Sequence, residues 1–196
     1  MPDLKTLAAT LESLGYQARC FDDASQAADY LDQQIDGTTV AFGGSVTLRD
    51  MALYPKLSAH NQVIWHWEGD SLAGAASTKV YISSVTGLAE TGEIINIDGN
   101  CNRVASTLYG HKTVYLVVGR NKIAPDYDAA LWRARNIAAP KNAQRLGKHT
   151  PCAVKGDRCY NCQSPERICN ALTVLWRKPT GVAHMEILLI DQDLGY

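Results

Sequence analysis

Apolar positions along this chain alternate between a helical period and strand-like runs. Leu4, Leu7, Ala8, Leu11 and Leu14 recur at helical spacing, and Gly15 stands where a C-cap glycine would. YQARCF then reads as a short strand, and Asp22 or Asp23 as the cap of a second helix through Leu31. TTVAF is a β-branched apolar run that ends abruptly in Gly43, Gly44 and Ser45. Helical residues follow, and Pro55 is expected to break them. NQVIWHW and KVYISSVTGL read as strands, and ETGEIINIDGN as a turn with a strand or hairpin. NRVASTLYG reads as a helix ending at Gly110. TVYLVVG is almost continuously apolar, the pattern of a strand buried on both faces of a parallel sheet. YDAALWRARNIAAP has helical spacing and is expected to stop at Pro140; ALTVLWR and MEILLI close the series as strands, with a turn around Pro179.

Strands alternating with helices over most of the length predict an α/β fold. Its sheet is mostly parallel and flanked by helices, with an antiparallel pair expected at the C-terminal end. The 196 residues suit one domain, 1–196. The one shift in composition is the segment 150–170, which is polar, irregular and rich in cysteine.

Composition narrows the function classes. The net charge is −1, so no basic surplus points to nucleic acid, and no patch points to a membrane surface. No apolar run approaches the roughly 20 residues of a spanning helix. The amphipathic start, with Asp3 and Glu12, lacks the apolar stretch of a signal peptide. A cytoplasmic protein is therefore expected. A reducing compartment makes clustered cysteines metal ligands or catalytic thiols more often than disulfides.

Four of the six cysteines, Cys152, Cys159, Cys162 and Cys169, fall in that segment with spacing C-x6-C-x2-C-x6-C. Four thiolates are enough for tetrahedral zinc or for a four-iron cluster. The second C-x2-C knuckle of a zinc ribbon is missing. Disulfides and free buried thiols are the other readings. His149 stands close enough in sequence to be a spare ligand. Cys20 reads as a small core residue, and Cys101 as an unactivated thiol in a polar run. The histidines show no ligand spacing.

Three polar segments adjoin apolar strands. Gly43, Gly44, Ser45 and Thr47 lie between a strand and a helix, where glycines admit backbone N–H groups to an anion, or form only a tight turn with Ser45 as cap. Glu90 leads into Asn96, Asp98, Asn102 and Arg103. Strand alternation would send Asn96 and Asp98 to one side, giving either a polar pocket with a general acid or base, or a plain Asp-Gly-Asn turn. Arg120, Asn121 and Lys122 follow the buried strand and suit a carboxylate or phosphate, or a solvated loop. Arg133, Arg135 and Arg145 read as surface or pairing residues, with Arg135, Asn136 and Asn142 as further candidates for the same pocket.

Together these motifs resemble the LUD-domain family, the lactate-utilization proteins, in its shorter branch with a cysteine-rich tail. The resemblance rests on FGGSVTL (42–48), VYISSVTGLAETGEIINIDGNCNRV (80–104) and YGHKTVYLVVGRNKI (109–123). It continues through RNIAAPKNAQRLG (135–147), TPCAVKGDRCYNCQSPERICN (150–170) and DLGY (193–196). Cys101 departs from it, since a small residue, usually glycine, is expected between Asn100 and Asn102. The resemblance implies a fold similar to that of sugar-phosphate isomerases and CoA transferases. Longer relatives act in oxidising L-lactate to pyruvate, alongside iron–sulfur partners. No catalytic residue is carried over. The expected function is binding of a small anionic metabolite, a hydroxy- or keto-acid, with a [4Fe–4S] cluster on the four cysteines and an iron–sulfur redox protein as partner. The alternative is a non-catalytic ligand-binding or regulatory module with a structural zinc knot.

Overall fold

A computed structural model describes residues 2–196. The chain runs α1 (Leu4–Ser13), β1 (Gln17–Phe21), α2 (Ala24–Gln34), β2 (Thr39–Phe42), α3 (Val46–Asp50), α4 (Leu53–Ser58) and β3 (Gln62–Trp65). It continues through α5 (Leu72–Ala75), β4 (Val80–Ser84), β5 (Gly87–Ala89), β6 (Ile94–Asp98), α6 (Asn102–Leu108) and β7 (Thr113–Gly119). It ends with β8 (Ile123–Ala124), α7 (Tyr127–Arg133), α8 (Ala139–Arg145), α9 (Pro151–Lys155), β9 (Ala171–Leu175) and β10 (His184–Ile190).

Six strands form one parallel sheet in the order β1-β10-β7-β4-β2-β3. Its faces follow from side-chain alternation. Tyr115 and Val117 of β7, with Phe42, Ile82 and Leu188, meet Leu31 of α2, Leu48 of α3 and Leu53 and Leu57 of α4. Val114, Leu116 and Val118 face the other way, toward Leu7 and Leu11 of α1 and toward Leu88, Ile94 and Leu175. Those last three belong to a second sheet, ordered β8-β5-β6-β9. The reverse face of that sheet packs Ala89, Ile95 and Ala124 on Ala130 of α7 and Ala134. The expected α/β architecture, a parallel sheet flanked by helices, is the one observed.

Caps explain several boundaries. Asp3 accepts from the Lys5 and Thr6 N–H groups at the start of α1, and Asp23 from Gln26 at the start of α2. Gly15, at φ +88°, ends the α1 turn.

Several elements differ from the sequence expectation. Pro55 sits inside the first turn of α4, where its missing N–H costs nothing; the break falls at Ala52, at φ +51°. Pro140 does not stop its helix, because the chain widens into a π-helical turn, Ala134–Ala138, and passes into α8. KVYISSVTGL is two strands, β4 and β5, in different sheets. The last two strands do not pair. β9 is antiparallel to β6, and β10 lies parallel between β1 and β7. Cys20 is exposed on the edge strand β1 rather than buried.

Candidate functional site

Parallel pairing places the carboxyl ends of β2, β4 and β7 at one edge of the large sheet. The three segments leaving those ends are Gly43–Ser45, Ser84–Thr86 and Gly119–Lys122. A cavity of about 250 Å³ opens there, lined among others by Gly44, Ser45, Ser84, Asp98, Asn102, Arg103 and Lys122. The glycine–serine turn and the GRNK loop thus share a cleft, reached by Lys122 and not by Arg120.

Lys122 is the most unusual group in it. Its Nζ is buried and donates to Thr47 Oγ1 and Ser84 Oγ, each at 2.8 Å. None of the ion pairs among the described residues includes it. Burial first, then the neighbouring Arg133 and Arg103, push its pKa down to about 7. Arg133 is itself buried rather than on the surface. It donates to the carbonyls of Asn121 and Thr86, at 2.6 and 2.7 Å.

Arg103, from the first turn of α6, binds Asn96 Oδ1 and the Ile97 carbonyl, both at 2.6 Å, and the Ser84 carbonyl at 3.3 Å. Asp98 accepts from the Cys101 and Val104 N–H groups and lies 3.7 Å from Arg103 Nε. Asn96 and Asp98 therefore serve one guanidinium, as strand alternation predicted. Cys101 has φ +64°, the left-handed backbone for which glycine is expected at this turn.

Other candidates hold the site or stand outside it. The Gly43 carbonyl accepts from Trp65 Nε1, and a Cβ there would lie 2.5 Å from Ser83 Oγ. Thr47 is buried and donates to the Leu194 carbonyl at 3.3 Å. Asn121 pins the C-terminal segment, accepting from the Leu194 N–H and donating to the Gly195 carbonyl. Arg120 pairs at the surface with Asp191 and Asp193. Glu90 is exposed, since the three residues of β5 carry the chain about 10 Å away from the cavity before it.

Sequence reasoning missed Ser84, His66 and Tyr196, which also line the cavity, as does Arg145, read there as a surface or pairing residue. Arg145 is exposed, as expected, and stacks on Trp67, 5.0 Å from the ring centre. Desolvation, then Arg145, lowers the pKa of His66. Ser84 carried only the signal of two serines ending an apolar run.

The four cysteines line a second cavity, of about 290 Å³, walled by Leu131, Ala139, Pro140, Ala143 and Ile168. Among the described residues, no three metal-ligating side chains converge tightly enough to hold a single ion. Zinc would require sulfurs about 3.8 Å apart, from a 2.3 Å bond and tetrahedral angles. Four thiols around one cavity are the donor set that an iron–sulfur cluster takes. Hydrogen-bond donors already face the sulfurs: Asn161 N at 3.3 Å from Cys159 Sγ, Arg167 Nη2 at 3.5 Å from Cys169 Sγ, and Arg135 Nη2 at 3.9 Å from Cys159 Sγ. His149 points instead to Glu166. Ile97, Ala139 and Ile168 line both cavities and separate them.

No helix among the described residues is long and apolar enough to cross a membrane. No curated protein matches the chain. A crystal structure of a DUF162 family protein from Deinococcus radiodurans is similar in fold, with a TM-score of 0.60 and 14% identity over 95% of each chain. Shorter matches cover 54% of the chain and 44% of eIF2B beta from Chaetomium thermophilum, at 17% identity and TM-score 0.40. Another covers 52% of the chain and 52% of ribose 5-phosphate isomerase from Plasmodium falciparum, at 10% identity and TM-score 0.36. The LUD domain family matches residues 4–190, nearly the whole chain, and the protein belongs to that family.

Proposed function

We propose that this LUD-domain protein binds a small carboxylate, a hydroxy- or keto-acid such as lactate or pyruvate, in lactate-utilization-type metabolism. Cys152, Cys159, Cys162 and Cys169 hold an iron–sulfur cluster beside that site. The observation that carries the reading is the charge of the first cavity. Arg103 and Arg145 bring two guanidinium groups, with the Lys122 amine beside them, to a space of about 250 Å³ whose one acidic side chain, Asp98, is engaged by Arg103 and the backbone. A cavity that small and that cationic suits a short anion, not a nucleotide.

When bound, the cluster supplies one-electron transfer. The chain's own residues do the rest. Arg135 and Arg167 offset the negative charge of a thiolate set and donate toward its sulfurs. Ile97, Ala139 and Ile168 keep an apolar partition between cluster and ligand. An iron–sulfur redox protein is the partner this reading calls for.

Metal analysis and an absorption spectrum of anaerobically purified protein test the cluster, which predicts iron, sulfide and a brown colour. Colourless, zinc-loaded protein would establish the alternative, a binding module with a structural zinc knot. Thermal shift with lactate, pyruvate, phosphosugars and CoA esters tests the cavity. A rise with lactate or pyruvate is expected, and the absence of any rise would overturn carboxylate binding.

A further inference from the structure

We propose that Lys122 condenses with the carbonyl of a short 2-oxo acid held in the first cavity, forming an imine at Nζ. This rests on the carboxylate-binding reading and gives it a chemistry.

The argument begins with what Lys122 lacks. A buried ammonium is normally held by a carboxylate. Here the Nζ neighbours are two neutral hydroxyls, Thr47 Oγ1 and Ser84 Oγ, each at 2.8 Å. The Thr47 hydroxyl directs its own proton to the Leu194 carbonyl, which leaves its lone pairs for Nζ. Two of the three free positions on nitrogen are thus occupied by hydrogen bonds that an amine makes as well as an ammonium. The third position is left for a ligand, and Lys122 lines the cavity. Cationic neighbours and burial are the two devices that leave a lysine unprotonated and nucleophilic at neutral pH. Both operate at Lys122, through Arg103 and Arg133 and through its almost complete burial.

The second element is spacing. Arg103 Nη1 donates to the carbonyl oxygen of Ser84, and Lys122 Nζ donates to the hydroxyl of the same residue. The guanidinium and the amine are therefore anchored on one residue, Ser84, through its carbonyl and its hydroxyl. A 2-oxo acid carries its carboxylate and its carbonyl on adjacent carbons. A carboxylate drawn to the Arg103 side of the cavity leaves its neighbouring C2 carbon for Nζ. A 2-hydroxy acid offers the same carboxylate but no electrophilic carbon, so it binds without reacting.

The step balances without an oxidant or reductant. The Nζ lone pair attacks C2, the N–C bond forms, and the carbonyl π pair moves to oxygen. Nitrogen gives up one proton and the oxygen takes one up, with the Ser84 hydroxyl in position to relay it. The carbinolamine nitrogen then gives up its second proton to the departing hydroxyl, which leaves as water while the C=N bond forms. Amine and oxo acid yield imine and water.

The test is reductive trapping. The full-length protein is incubated at neutral pH with pyruvate and sodium borohydride, and the adduct is mapped by peptide mass spectrometry. The expected result is one reduced adduct per chain, on Lys122. It should be absent when lactate replaces pyruvate, reduced by competing lactate, and formed at least tenfold more slowly in Ser84→Ala. Lys122→Arg should form none, but mapping on the wild type decides the matter even if that variant fails to fold. A pyruvate thermal shift, without borohydride, reports binding separately. A shift with no Lys122 adduct overturns the imine and leaves the carboxylate site standing. Neither shift nor adduct overturns both. Adducts scattered over exposed lysines such as Lys141, with none at Lys122, also overturn the imine.

Discussion

Arg103 Nη1 donates to Asn96 Oδ1 at 2.6 Å, and Asn96 is buried in β6. One guanidinium thus ties α6 to the second sheet through Asn96 and Ile97, and to the end of β4 through Ser84. The arginine that lines the first cavity also supports its wall. Replacing it leaves the Asn96 amide oxygen buried without this donor, a loss of about 1–3 kcal/mol. Arg103→Ala is expected to lower stability by that amount in urea unfolding and to lose the pyruvate-induced rise in melting temperature. A variant with wild-type response to pyruvate would remove Arg103 from the binding site.

Lys122 predicts a particular pH dependence. Its pKa falls from 10.5 to about 7 on folding, through burial and then through Arg133 and Arg103, against a weak opposing pull from Asp50. Between those values the unfolded chain binds a proton that the folded chain does not. Stability therefore rises with pH across that window, by at most about 1.4 kcal/mol per pH unit. Below about pH 7 both states hold the proton and the contribution to the slope vanishes. Lys122→Met should flatten the rise between pH 7.5 and 9.5 in urea titrations. Parallel curves for the two proteins would show that the ammonium is not destabilised by burial.

The four thiols act as one unit in the proposed cluster. Cys159→Ser or Cys162→Ser is expected to lower the iron content of anaerobically purified protein. The segment 150–170 gains little from apolar burial, so loss of its cross-link should expose it to limited proteolysis. Unchanged iron content in both variants would remove these cysteines from the ligand set.

Gly119 shapes the cavity from a distance. A Cβ there would lie 2.8 Å from Asn121 Oδ1, the Gln192 carbonyl oxygen and the Leu194 nitrogen. Two of these atoms are backbone and cannot swing aside. Gly119→Ala should cost about 1–3 kcal/mol as overpacking does. It should also loosen the segment that brings Tyr196 to the cavity, seen as faster proteolytic trimming of the C-terminus and a smaller pyruvate shift.

Local pattern determined most of the elements, because a helix or strand writes its burial into neighbouring residues. Leu7 and Leu11 identified α1, and TVYLVVG identified a strand covered on both faces, as β7 is. The Gly43–Ser45 turn and the loop to Lys122 were legible as strand-end segments, and a parallel sheet brings such ends to one edge. The resemblance to the LUD-domain family was also readable from local motifs. Only the tertiary structure decided which polar residues reach the cavity. Ser84 and Lys122 are 38 positions apart, and Thr47 and Lys122 are 75 apart, so no local period links them. Glu90 and Arg120 looked like equal candidates with Arg103 and Lys122, because charge is visible in a sequence and direction is not. The partners of β9 and β10 were misassigned for the same reason. Strand pairing is a long-range contact, selected by which apolar faces can be buried together once the whole chain is in place.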